Sequence, residues 1–267
     1  MFGFGKRKKE AKTETTQVNE ITKSIAAKFD CEYAVYTQGS KAETLEKEYI
    51  KLLADGKKNG YVPAILVADE YVDEWLEIIK EDNLVREELI AGCGDGKKIL
   101  DERYEEYTET SEDYTEEELQ ELMGEGQEHE GEVLDHFTGY LDVFSNEPYP
   151  NSKLQYDTLL LKIPVVHPWE VIAWIPMGGW NDCPDAKDML AVCKYWYETY
   201  GAVPALFTHD VMEFYVPNKT NQSLKMDIAK EHYAFCTDRV CQCTASGTIS
   251  ELAAGIPESK VWYFWWD

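Results

Sequence analysis

The chain has 267 residues, 44% of them hydrophobic and 29% charged, with a net charge of −25. Its length and apolar content allow a sizeable core, as one large domain or two moderate ones, so disorder is expected only locally. The acidic balance argues against nucleic-acid phosphate as a partner, because that binding needs clustered Lys and Arg that release counterions; basic or neutral partners fit better.

Residues 1–17 carry Lys6-Arg7-Lys8-Lys9 and read as a disordered basic tail. No stretch approaches the roughly eighteen apolar residues of a membrane span. From 18 to 100 the pattern is that of an α/β region. Val18 to Phe29 has helical spacing, Glu32 to Tyr36 alternates like a strand, and Thr44 to Ala54 places Leu45, Tyr49, Leu52 and Leu53 on one helical face, with Gly56 as the stop. Val62 to Val67 reads as a buried strand, and Glu70 to Lys80 as a helix with Val72, Trp75, Leu76 and Ile79 inward. The run Gly92 to Lys98 lacks the first glycine and the Ser/Thr of a phosphate loop, so that reading is rejected.

Residues 101–150 form an acidic connecting segment. Between Asp101 and Asp135 stand sixteen Asp or Glu against one basic residue, Arg103. Thr115 and Glu118 make a capping box for a short helix, which Gly124, Gly126 and Gly131 interrupt. Like-charge blocks are usually solvated, so a partly mobile connection, dispensable for folding, is expected.

Residues 151–267 read as a second α/β module. Thr158 to Ile163 and Trp169 to Ile175 look like a hairpin pair. The turn 177–184 leads into a helix capped by Asp182 or Cys183, with Met189, Leu190, Cys193, Trp196, Tyr197 and Tyr200 in register and Gly201 as the stop. Strands near 205–207 and 211–216, a helix over 223–235, and a short helix opened by Thr248 and Glu251 follow. Seven of the eight Trp lie at or after position 169, and the aromatic run Trp262 to Trp266 predicts a core strand, since so much aromatic surface is costly in water. The fold class is α/β or α+β, with a mixed sheet flanked by helices.

Gly178-Gly179-Trp180-Asn181-Asp182-Cys183-Pro184, Tyr200-Gly201-Ala202, His209-Asp210-x-x-Glu213, Phe235-Cys236-x-Asp238-x-x-x-Gln242 and Trp262 to Asp267 occur in this order. Together they resemble an uncharacterised bacterial family, domain of unknown function 4253, over Leu159 to Asp267. The resemblance implies a bacterial source and a compact α/β module, and brings no established activity or catalytic residues. Cys241 and Cys243, which flank Gln242, depart from the pattern expected there.

Polar groups concentrate in the turns of this module. An enzyme reading uses Asp210 or Asp238 as base or metal ligand with His209 beside it, Glu213 as a further catalytic candidate and Trp180 as a substrate platform; Asn181, Asp182 and Gln242 complete the candidate binding set. Caps and turns are a sufficient structural reason for Asn181, Asp182, Asp210 and Asp238. Glu213 is different: it shares a strand face with Val211 and Tyr215, so it is expected to point inward and to need a partner.

Seven Cys, an odd number without a secretory signal, point to a reducing cytoplasm. Cys236, Cys241 and Cys243 are spaced poorly for zinc, and neither a metal nor a cofactor is expected. Two functions remain open: a binding or regulatory protein of the immunity type that meets a basic protein through an acidic face, or a hydrolase-like enzyme with a carboxylate/His site. The oligomeric state is left open.

Overall fold

The computed structural model describes residues 18–81, 85–110, 115–145 and 147–267. The basic tail lies outside these residues. So does the side chain of Ile79.

Six strands form one mixed sheet: β1 (Glu32–Tyr36), β2 (Val62–Val67), β3 (Thr158–Ile163), β4 (Val203–Phe207), β5 (Val211–Tyr215) and β6 (Val261–Trp265). Their spatial order is β1-β3-β2-β4-β5-β6. β2 and β4 run parallel, and the other neighbouring pairs are antiparallel. The sheet does not divide at residue 151, because β3 inserts between β1 and β2, pairing Ala34 with Leu160 on one side and Ile65 with Leu160 on the other. All six residues of β2 are buried, as a strand covered on both faces requires.

One face of the sheet carries the larger core. Against it pack α1 (Glu20–Ala27), α3 (Glu70–Glu81), α4 (Arg86–Ala91), α5 (Gly96–Thr108), α6 (Glu116–Met123), α7 (Ala186–Tyr200), α8 (Lys225–Phe235), α9 (Asp238–Cys241) and α10 (Ile249–Gly255). Trp262, Phe264 and Trp266 are buried on this side, where Trp196 lies within 5.5 Å of the rings of both Trp262 and Phe264, so the aromatic terminal strand is core as its sequence predicts. The opposite face is covered by α2 (Ala42–Asn59), through Leu45 and Tyr49, and by residues 131–145, through Leu134, Phe137 and Tyr140. A bulge between Pro204 and Leu206 turns both Ala205 and Leu206 toward this second core.

Several sequence expectations are corrected. Trp169 to Ile175 is no strand: Pro168–Ala173 is a 3₁₀ turn, and its apolar side chains are buried beneath α7, a use of apolar residues that a strand pattern cannot distinguish. The N-cap of α7 is Asp185, whose Oδ1 accepts the Lys187 and Asp188 N–H groups at 2.9 Å, so neither Asp182 nor Cys183 fills that place. Gly56 lies inside α2, and Gly60, at φ 75°, ends it. The capping boxes at Thr115 and Thr248 and the stop at Gly201 form where expected.

The acidic segment is packed rather than merely solvated. α5 and α6 bury Leu100 and Leu122 while their carboxylates face outward. Beyond them, residues 131–145 run as a strap, fixed where Leu134 O accepts Lys260 N at 2.7 Å and Leu134 N donates to Ser259 Oγ at 3.0 Å. The strap passes α10 at backbone contact. A Cβ on Gly255 would stand 1.9 Å from Glu132 O, so only glycine fits. Gly255→Ala is therefore expected to cost about 1–3 kcal/mol, as overpacking does, and to lower the thermal midpoint of the whole chain. An unchanged midpoint would mean that the strap is not docked there.

Candidate functional site

An open cleft of about 490 Å³ lies on the strap-covered face of the sheet. It sits at the carboxyl ends of β2 and β4, the parallel pair, where open α/β sheets commonly take ligands. The residues after β2 and the turn between β4 and β5 form one wall, β6 contributes Tyr263 and Trp265, and the strap forms the facing wall.

His209 lies between two carboxylates in this cleft. Asp69, 7% exposed, caps the first turn of α3 with Oδ1, which accepts Val72 N at 2.8 Å. Its Oδ2 stands 3.1 Å from His209 Nδ1. The other ring nitrogen, Nε2, is 3.5 Å from Asp210 Oδ2, and the Tyr71 ring packs on the imidazole with centroids 4.9 Å apart. The hydrogen bond to Asp69 raises the His209 pKa above its ordinary value, burial opposes this, and the Asp210 charge adds to it. Asp210 itself is heavily engaged: Oδ1 accepts Thr208 Oγ1 at 2.8 Å and Oδ2 accepts Trp265 Nε1 at 2.9 Å. It braces the β4–β5 turn, and its second oxygen remains beside the imidazole.

Glu213 points inward as expected and is fully buried. Its partner is the strap: the carboxylate accepts Thr138 N and Thr138 Oγ1 at 2.9 Å and Gly139 N at 3.1 Å. Burial pushes its pKa up to about 7, although the donated N–H groups pull the other way. Glu213 stands behind Thr138 and Gly139, which line the cleft, so it shapes that wall from beneath.

The remaining sequence candidates form a different cluster. Gln242 Nε2 donates to Asp238 Oδ1 at 2.6 Å, Asp238 Oδ2 accepts Asp267 N at 3.1 Å, and Asn181 Nδ2 donates to Asp267 O. Asp182 O accepts Arg103 Nη2 at 2.6 Å. These contacts tie down the end of β6 and the turn before α7. Trp180, expected to face outward, is half-buried against the main core. Thus His209 and Asp210 meet at the cleft, whereas Trp180, Asn181, Asp182, Asp238 and Gln242 do not join them.

Sequence reasoning missed Asp69, Arg239, Tyr263 and Trp265. Asp69 carried a signal, an Asp directly after a buried strand and before an amphipathic helix, at the strand end where ligands bind. All seven cysteines are free. Among the described residues no three His, Cys, Asp or Glu side chains are grouped as metal ligands. His232, near Cys236 in sequence, is enclosed by Trp196, Trp262 and Phe264, and burial holds its pKa well below the usual value. Among the described residues no helix is long and apolar enough to cross a membrane.

Fold and cleft together define an α/β domain with a histidine set between two carboxylates at the carboxyl end of its parallel strand pair. Residues 159–267 match the family model described as a domain of unknown function (DUF4253), the family that the five C-terminal motifs resemble. The match opens within β3 and takes in β4, β5 and β6, while β1, β2, Asp69 and the strap lie outside it. No curated protein and no solved structure matches the chain.

Proposed function

We propose that the cleft is the active site of a hydrolase-type enzyme in which His209 is the acid–base group. The observation that carries this reading is the pairing of His209 Nδ1 with the buried Asp69 carboxylate, which orients the ring of this cleft-lining residue and leaves Nε2, among the described residues, with only the more distant Asp210 oxygen, 3.5 Å away. In that arrangement Nε2 takes a proton from water as the water oxygen bonds to an acyl or phosphoryl centre. The same proton then passes to the leaving group as the scissile bond breaks, so water is added across the bond. Asp69 acts as a positioning residue, and the Asp210 charge stabilises the imidazolium formed midway.

The reading is tested with p-nitrophenyl acetate and bis(p-nitrophenyl) phosphate. His209→Asn is expected to lower turnover about 10²–10⁴-fold, the usual contribution of a positioned acid–base group, while Asp238→Asn leaves it unchanged. Because only the neutral imidazole accepts a proton, and the His209 pKa is raised, the rate should climb with pH through a value above the ordinary histidine range. Asp69→Asn should shift that limb to lower pH. Absence of turnover on both substrates, or equal turnover in His209→Asn, overturns the reading.

A second reading rests on a separate observation. The outer faces of α5 and α6 expose Asp101, Glu102, Glu105, Glu106, Glu116 and Glu117, an acidic surface suited to a regulatory or immunity-type protein that binds a basic partner.

A further inference from the structure

Arg239, on α9, is 5% exposed and is among the residues that line the cleft. A buried guanidinium needs its donors satisfied and its charge balanced. Here Nη1 donates to the Cys243 carbonyl at 3.3 Å, and the Cys243 thiol also lies within reach. The nearest carboxylate oxygen, Glu132 Oε2, is 3.9 Å from Nη2, beyond hydrogen-bond distance, and the Glu132 side chain is 63% exposed. In a chain of net charge −25, a buried cation that, among the described residues, has no carboxylate within hydrogen-bond distance is a natural seat for an anionic ligand.

The other cleft charges do not cancel this. Asp69 is engaged by His209 and by the N-terminus of α3, and Asp210 by Thr208 and Trp265. β6 sets the spacing. Arg239 lies beside Tyr263 in the wall, whereas Trp265 holds Asp210, the neighbour of His209. Tyr263 and Trp265 project from the same face two residues apart, roughly 7 Å along a strand.

We infer that Arg239 is an oxyanion subsite: the molecule bound in the cleft carries a carboxylate or phosphate group, anchored by the guanidinium, at one end and the bond acted on at the His209 end. Only the second half of that statement rests on the acid–base reading. The exposed Glu132 side chain competes with the ligand anion for Nη2.

The test titrates the full-length protein with inorganic phosphate and, separately, with succinate, by calorimetry and by thermal shift. Saturable binding is expected in the wild type. It should weaken about 10- to 100-fold in Arg239→Gln, the size of a lost charge-assisted pair. Binding should tighten in Glu132→Gln, whose exposed site keeps the fold intact and so serves if Arg239→Gln does not fold. Phosphate alone binding assigns a phosphoryl ligand, and succinate alone a carboxylate. Affinity unchanged in Arg239→Gln, weaker binding in Glu132→Gln, or no binding of either anion overturns the subsite. Anion binding that survives while His209→Asn leaves turnover untouched overturns the acid–base reading alone.

Discussion

A fragment beginning at residue 151 is expected not to fold cooperatively, although it contains the whole stretch matched by the family model. In the sheet β2 lies between β3 and β4 and hydrogen-bonds to both, so the fragment would leave those strands separated by an empty strand position. The six side chains of β2, all buried, are lost with it. Each large apolar side chain fully buried is worth about 1.5–3 kcal/mol, so the total rivals the roughly 5–15 kcal/mol that hold an average domain together. The strap and α5 are lost too, leaving Glu213 without its N–H donors and removing the helix that packs on both α7 and α8. Circular dichroism during a urea titration decides the matter: a cooperative transition near that of the full chain would show β2 to be dispensable.

The Glu213 contribution to stability should grow as pH falls from about 7 to about 4.5, opposed below the ordinary histidine pKa by His232, which burial keeps neutral in the folded chain. Glu213 has its pKa raised from 4.5 to about 7, so within this window the folded chain holds a proton that the unfolded chain has lost. Stability falls with rising pH wherever the folded state binds more protons, and 2.5 pKa units correspond to about 3 kcal/mol. Above the folded value both states are ionised and the cost is constant. Below the unfolded value both are protonated and the dependence disappears. Glu46 and Glu231, also raised by burial, add with the same sign. In Glu213→Gln the Glu213 share should vanish, so on going from pH 8 to pH 5 the urea midpoint should rise less, or fall more, than in the wild type. An unaltered difference would show that Glu213 is ionised throughout.

Elements whose signals are local are legible in the amino-acid order alone. β1, β2 and β3 have the bounds that their apolar patterns predict, because alternation and continuous apolar runs reflect the two-residue period of a strand. Glu213 was legible because a charge on the apolar face of a strand demands partners. Nothing local marks those partners, however: Thr138 and Gly139 lie 75 and 74 residues away, in a segment whose charge suggested solvent. Long-range packing sets the rest: β3 enters between β1 and β2, the acidic stretch packs through α5, α6 and the strap, and Asp69 meets His209 across 140 residues of chain. The physical reason is common to all three. A repeating pattern fixes the conformation of a segment and which side it buries, but many remote surfaces can satisfy that burial equally well in outline. The choice among them falls to backbone pairing, close packing such as Gly255 against the strap, and the need to satisfy every buried polar group at once.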